Sequence, residues 1–299
     1  MRKKVALIGL GAWGKNLLRE FYKRSDVVAV CTTGNSANRD WLSENYPDIV
    51  HVTNVNKILA DDSVEAVVIA SPIDTHYKFA NLSLKAGKHV FIEKPVSNNI
   101  NNTHSLFKLS ADKKLVFFPG YIYNFNPVLQ YIQKNINKKE ILCMLFEWDK
   151  HGTFNEDLTW NLLVHELYII YKIFGQVGDI EIIGSFGCVT KCDVLSLRVN
   201  IGDCSILIHI NRVSNIKHKK VSFRTKDEML IWDHNSIYKY SKKLMAYKLI
   251  WETSEQPLAI EVEEFIKRVN SNNIDCDIID AVTKVETVVH NINRIIYKI

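Results

Sequence analysis

Three short segments carry residue types whose order suggests chemistry. Gly9-Leu10-Gly11-Ala12-Trp13-Gly14 is a G-x-G-x-x-G that follows the apolar run Val5 to Ile8 and opens an amphipathic stretch. In that context the first glycine permits a tight turn, the second lets a pyrophosphate reach the backbone, and the third lets helix and strand pack closely. The free N–H groups of the helix start favour the same anion. The implied chemistry is dinucleotide binding by Gly9, Gly11, Ala12, Trp13 and Gly14. The second segment is Ala70-Ser71-Pro72-Ile73-Asp74-Thr75-His76, and the third runs from Gly87-Lys88-His89 to Glu93-Lys94-Pro95-Val96. Both stand at the carboxyl ends of apolar runs, where open parallel sheets bind ligands. There Pro95 stiffens the turn, Lys94 points into the cleft, and Glu93 keeps the ammonium charged and oriented. Ser71, Pro72, His76, Glu93 and Lys94 are accordingly placed beside the cofactor.

The end of the second apolar run bears on which dinucleotide is used. An NAD site usually has an acidic residue there to hold the ribose 2′-hydroxyl. Residues 30–39 contain no Asp or Glu. Thr32, Thr33, Asn35 and Arg39 would not repel a 2′-phosphate. Arg39 either contacts it through charge-assisted hydrogen bonds or is simply an exposed helix residue. The expected cofactor is NADP or NAD, with NADP favoured.

These segments need elements to position them. Apolar runs at Val5–Ile8, Val27–Cys31, Val50–Val52, Ala66–Ala70, His89–Ile92 and Leu115–Phe118 read as strands, with amphipathic helices between them. Continuous apolar strands separated by helices predict a parallel sheet covered on both faces. After Pro119-Gly120 the pattern changes. Helices are predicted at 127–135, 157–174, 258–270 and 278–297, with strands at 141–148, 180–189, 194–201, 205–213, 219–225 and 228–232. Consecutive strands with short turns predict a mainly antiparallel sheet. The fold class is α/β: an N-terminal dinucleotide-binding domain followed by an α+β domain with an open sheet.

Composition narrows the function classes. The 299 residues suffice for two medium domains. The net charge of +5, from 38 basic and 33 acidic residues, is too small and dispersed to argue for nucleic acid; it suits an acidic small molecule only weakly. The six cysteines, Cys276 included, form no C-x-x-C pair. Cys188 and Cys192 lack a histidine at ligand spacing, so reduced thiols of a cytoplasmic protein and no metal are expected. Glycines interrupt the apolar run after Met1-Arg2-Lys3-Lys4, which argues against a signal peptide. No stretch is long and apolar enough to predict a membrane span.

Taken together, the early glycine motif, Ser71-Pro72 with His76, and Gly87 to Pro95 resemble the Gfo/Idh/MocA family. Its members include glucose–fructose oxidoreductase, inositol dehydrogenase and related sugar dehydrogenases. The likeness is dense over residues 4–97 and thinner afterwards. It implies a Rossmann domain over 1–119 and a substrate-binding domain over 120–299, whose sheet also mediates a homodimer or homotetramer. Thr32 to Arg39 resembles the family's NADP-type variant. The family's second signature is an Asp and a His four residues apart on a helix. Its counterpart here is Asn161 to His165: His165 matches the catalytic histidine, and Asn161 replaces the aspartate. Spacing i, i+4 puts both on one helix face. Asparagine hydrogen-bonds but cannot take a proton, so the proton work falls to His165, assisted by Lys94. Without the resemblance, a histidine on an apolar helix is more often a satisfied core group. Asp157 and Glu156 precede the pair and Glu166 follows it. Tyr123 and Asn124 either line the substrate site or form a packing turn, and Trp148, Lys150 and His151 are further candidates to face the cleft. The implied activity is hydride transfer between the nicotinamide and a secondary alcohol or carbonyl of a sugar or nucleotide-sugar. The alternatives are an imine or carbonyl reductase of the same fold, and a non-catalytic nicotinamide-binding regulatory protein.

Overall fold

Alternation of short apolar runs with amphipathic helices builds the first half of the chain. The computed structural model describes residues 2–32, 36–274 and 278–298. The order is β1 (Lys4–Ile8), α1 (Ala12–Arg24), β2 (Asp26–Cys31), α2 (Ser36–Asn45), β3 (Val50–Val52), α3 (Val55–Leu59), β4 (Ala66–Ile69), α4 (Ile73–Lys85), β5 (His89–Glu93), α5 (Ile100–Lys113) and β6 (Phe117–Gly120). All six strands pair in parallel, in the order β3-β2-β1-β4-β5-β6. β4 is buried at every position, as expected of a strand covered on both faces. The order reverses between β1 and β4, and ligands bind at the carboxyl ends of strands beside such a reversal.

Two expectations need correction here. The sixth strand was expected to stop before Pro119-Gly120, yet β6 includes both, and Pro119 stands opposite Ile92. β6 is the edge strand, where a residue without an N–H costs no ladder bond. The expected division also gave everything after Pro119 to the second domain. Instead the chain forms two compact units, Met1–Ile122 with Gln256–Thr283, and Tyr123–Glu255 with Lys284–Ile299. Helix α8 (Pro257–Ser271) belongs to the first unit because Phe265 closes an aromatic cluster there. Its ring centroid lies 5.8 Å from that of Phe21 and 5.6 Å from those of Phe91 and Phe118.

The second unit begins with a 3₁₀ turn (Ile122–Phe125) and α6 (Pro127–Asn135), whose N-cap Asn126 accepts from the N–H groups of Val128 and Leu129. Then come β7 (Ile141–His151), a π-helical turn (Thr159–Leu163), α7 (Val164–Phe174), β8 (Asp179–Phe186), β9 (Val194–Ile201), β10 (Cys204–Asn211), β11 (Val213–Thr225), β12 (Met229–Asp233), β13 (Ser236–Ser241) and β14 (Ala246–Glu252). Helix α9 (Ile279–Tyr297) closes the chain. The sheet order is β14-β13-β12-β11-β7-β10-β9-β8, antiparallel except between β7 and β10. The hairpin β13–β14 was not expected: β14 is almost wholly exposed and β13 buries only Ile237, so neither carries an apolar alternation. Among the described residues no helix is long and apolar enough to cross a membrane.

The turn from β10 to β11 holds the largest fully buried side chain, Arg212. Its Nε donates to Asp193 Oδ1 at 3.0 Å, and its other N–H groups go to Thr153 O, Glu156 O, Thr190 Oγ1 and Cys192 O. Removing the arginine strands a buried carboxylate, so Arg212→Ala is expected to lower stability by about 3–5 kcal/mol. Urea unfolding measures this, and an unchanged midpoint would show that the pair carries no weight.

Candidate functional site

In the first unit the site is built on what glycine leaves out. Gly9 has φ of +96°, and a Cβ there would lie 2.5 Å from Ala70 O. A Cβ on Gly14 would lie 2.4 Å from Gly9 O. These two positions let β1, β4 and α1 approach closely. Gly11 is different, because a Cβ there would meet nothing within 4 Å. It caps α1 without a side-chain hydrogen bond, and the first turn holds no acidic residue. The helix start therefore offers N–H groups and positive partial charge that no side chain consumes, which fits a pyrophosphate.

The neighbouring strand ends add titratable groups. Trp13, 42% exposed, donates its indole N–H to Glu93 Oε1 at 2.6 Å. Burial pushes the Glu93 carboxyl up to about 7, against the indole hydrogen bond and the Lys94 ammonium. Lys94 itself is half-buried at the end of β5. Glu261 on α8 is fully buried, and neither of its oxygens has a hydrogen-bond partner among the described residues. Burial and then the charge of Glu93 hold its carboxyl well above the usual range. Two interacting buried carboxyls resist joint ionisation.

His76, expected at the cofactor, is instead buried with both ring nitrogens engaged. Nδ1 lies 2.8 Å from Pro95 O and Nε2 2.8 Å from Ser71 O. The ring lies between the Ser71 turn and the Lys94-Pro95 turn, and a neutral imidazole, with one N–H, donates to one of these two carbonyls. Ser71 Oγ shares a hydrogen bond with Thr75 Oγ1, and Pro72 stands at the N-cap of α4. At the end of β2, Thr32 Oγ1 lies 2.8 Å from His51 Nε2, a partner that the sequence did not suggest. Arg39 is exposed on α2 beside Asp40. Thr33, Asn35 and Cys276 lie outside the described residues.

In the second unit the long helix expected over 157–174 opens as a π-helical turn, which holds Asn161, and continues as α7, which holds His165. Asn161 is buried and donates its backbone N–H to Asp157 O. His165 is half-exposed, its ring 5.5 Å from that of Tyr123 and 5.8 Å from that of Trp148. Tyr123 also packs edge-on against Trp232. The Lys219 ammonium lies 3.5 Å over Trp148, 4.7 Å over Tyr123 and 2.9 Å from Glu166 Oε1. Burial pushes the Glu166 carboxyl up, opposed by Lys219. Asn124 Oδ1 accepts from the hydroxyl of Tyr168 on α7. The structure thus gathers His165, Tyr123 and Trp148 around a buried ion pair. Lys219 was missed because only the register, Trp148 opposite Lys219, reveals it, and Trp232 because only its contact with Tyr123 does.

Residues 3–121 match the Gfo/Idh/MocA family, described as an oxidoreductase family with an NAD-binding Rossmann fold. An uncharacterized oxidoreductase from Synechocystis sp. is 30% identical over 164 residues, 52% of this chain and 43% of that protein. UDP-N-acetylglucosamine 3-dehydrogenase from Acidithiobacillus ferrooxidans is 24% identical over 160 residues, 51% of this chain and 49% of that protein. The chain spans about half the length of the curated relatives it matches. A solved structure of that dehydrogenase superposes with a TM-score of 0.84 at 20% identity, covering 97% of this chain and 96% of that one. A variant 3-ketoreductase from Actinomadura kijaniata, in complex with TDP-benzene and NADP, gives 0.84 at 14% identity over 97% and 96%. At these identities the structural likeness establishes a shared fold.

The carboxyl pair predicts a pH dependence of stability. A carboxyl whose folded value is raised contributes fully below its unfolded value and loses that contribution as pH rises through the folded value. For Glu93 the window runs from the ordinary 4.5 to about 7, and Glu261 extends it upward. Glu261→Leu is expected to raise the melting temperature at pH 8 more than at pH 5. Equal gains at both would show that Glu261 does not bind an extra proton on folding.

Proposed function

We propose that this member of an NAD(P)-binding oxidoreductase family transfers hydride between the nicotinamide and a secondary alcohol or carbonyl of a sugar-like molecule, with NADP favoured over NAD. The observation that carries the reading is the start of α1 behind Gly11, which no side chain caps, at the carboxyl edge where β5 also ends, one residue before Lys94.

The cofactor, when bound, supplies hydride exchange at its nicotinamide ring. Everything else falls to the chain. The N–H groups of Gly11, Ala12 and Trp13 hold the pyrophosphate. Arg39 and the Thr32 hydroxyl meet the adenosine ribose end, with no carboxylate among residues 30–38 to repel a 2′-phosphate. Oxidation of an alcohol requires its proton to leave, and His165 accepts it at a ring nitrogen. Lys94 steadies the developing alkoxide as a cation. Asn161 orients the hydroxyl by hydrogen bonding and cannot share the proton. That limitation favours a second reading within the same class, reduction of a carbonyl or imine, in which His165 donates the one proton that accompanies the hydride and Lys94 assists.

Lys94→Ala and His165→Ala are each expected to cut turnover by about 10²–10⁴-fold on whichever sugar or nucleotide-sugar of a panel is converted, while the Kd for NADP stays within error. Near-normal turnover in both variants rejects these roles, and no affinity for either dinucleotide rejects the reading altogether. Arg39→Ala is expected to weaken NADP binding about tenfold and leave NAD unaffected; fluorescence titration with the two reduced cofactors separates them.

A further inference from the structure

Strand β11 breaks its pairing with β7 at one place. Val213 stands opposite His151 and His218 opposite Asp149, so β11 advances five residues while β7 advances two. The surplus residues form a bulge that carries Ile216 and Lys217 into solvent. Bulges of this kind re-aim side chains beside functional sites. The β7 residue spanned by the bulge is Lys150. By strand alternation it shares a face with Trp148, which touches His165.

The lysines of this region differ in how their charge is met. Lys219 pairs with Glu166 at 2.9 Å and Lys220 with Glu147 at 2.8 Å. Lys150 and Lys217 form no ion pair with any described carboxylate. Lys150 Nζ donates to the Thr153 hydroxyl at 2.8 Å. Partial burial first, and then the ammonium of Lys217, push its pKa down; Glu156 opposes them and Arg212 adds to them. A partly desolvated ammonium beside a second cation, on the face that carries His165, is short of an anion.

We propose that Lys150 and Lys217 form an oxyanion subsite that holds a carboxylate or phosphate of the substrate while its carbinol meets His165. The proposal rests on the oxidoreductase reading and narrows it: the substrate is an acidic sugar or a sugar phosphate. The two lysines supply point charges with rotatable donors, which suit either oxyanion without demanding one geometry. Lys219, already neutralised by Glu166, keeps the aromatic platform in place and leaves the anion to the other two.

The test uses the full chain with NADP present and three probes: glucose, glucuronate and glucose 1-phosphate. By calorimetry, at least one charged sugar is expected to bind about tenfold or more tightly than glucose. In Lys150→Met/Lys217→Met that advantage is expected to fall to within about threefold, with an unchanged melting temperature because neither side chain is buried core. Lys217→Met alone, at an exposed position, loses part of it. The glucuronate and phosphate arms tell the two oxyanions apart. Equal binding of charged and neutral sugars, no binding by any of the three, or an advantage that survives the double substitution overturns the proposal. NADP affinity measured on the same samples keeps the two readings separate: its absence defeats the oxidoreductase reading, while a lysine-dependent preference for anions would still stand.

Discussion

Taking the guanidinium of Arg212 out of water is costly unless every donor finds an acceptor. Here all five N–H groups do, through Asp193, Thr153, Glu156, Thr190 and Cys192. Asp193 in turn collects the N–H groups of Cys188, Val189 and Thr190 and the Thr190 hydroxyl. Burial opposes its charge, but these bonds outweigh that cost and hold its carboxyl well below the usual range. The consequence is positional. The loops before the π-helical turn and before β9 are both tied to the start of β11. Asp157, just beyond the first tie, accepts from Asn161 N–H and from Asn293 on α9. The places of Asn161 and His165 therefore descend from a buried charge several residues away.

The first unit solves its positioning problem by the opposite means. No side chain braces the turn after β1; the absence of side chains at Gly9 and Gly14 lets three elements meet. What polar groups remain are strand-end devices. His76 spans two turns, Trp13 reaches across to Glu93, and Lys88 donates to Asp61 O. Glu261 is the exception, a fully buried carboxyl whose oxygens have no hydrogen-bond partner among the described residues. A neutral acid there is cheaper than a carboxylate, yet an apolar side chain would be cheaper still. Its presence makes the protonation of Glu93, one residue from Lys94, a property of the pair.

The parallel half was legible in the sequence because its signals are local. Each buried strand is a continuous apolar run, and the glycine motif sits where strand becomes helix. The errors there came from context: Pro119 reads as a stop only until β6 is known to be an edge, and α8 reads as part of the second domain until Phe265 is seen among Phe21, Phe91 and Phe118. In the second half the site was legible only in part. His165 and Asn161 were singled out through spacing and resemblance, and Trp148 and Tyr123 as candidates. Lys219, Arg212 and Asp193 left no local trace, since each owes its role to cross-strand register or to burial that no periodicity announces. The hairpin β13–β14 escaped for a related reason: a strand with little to bury writes no alternation.

Strand β11 shows why a charge run does not disclose its function. Lys217, Lys219 and Lys220 stand close together in the sequence, but adjacent strand residues face opposite sides. Lys219 meets Glu166 from α7 on the helix-covered side, whereas Lys220 meets Glu147 on the other. His218 still pairs in register with Asp149, and beyond it the ladder is broken. Lys217 therefore stands where neither face of the sheet supplies it with a carboxylate. Three lysines within four residues thus acquire different electrostatic surroundings from one change in pairing, and the one beyond the break has no carboxylate partner among the described residues.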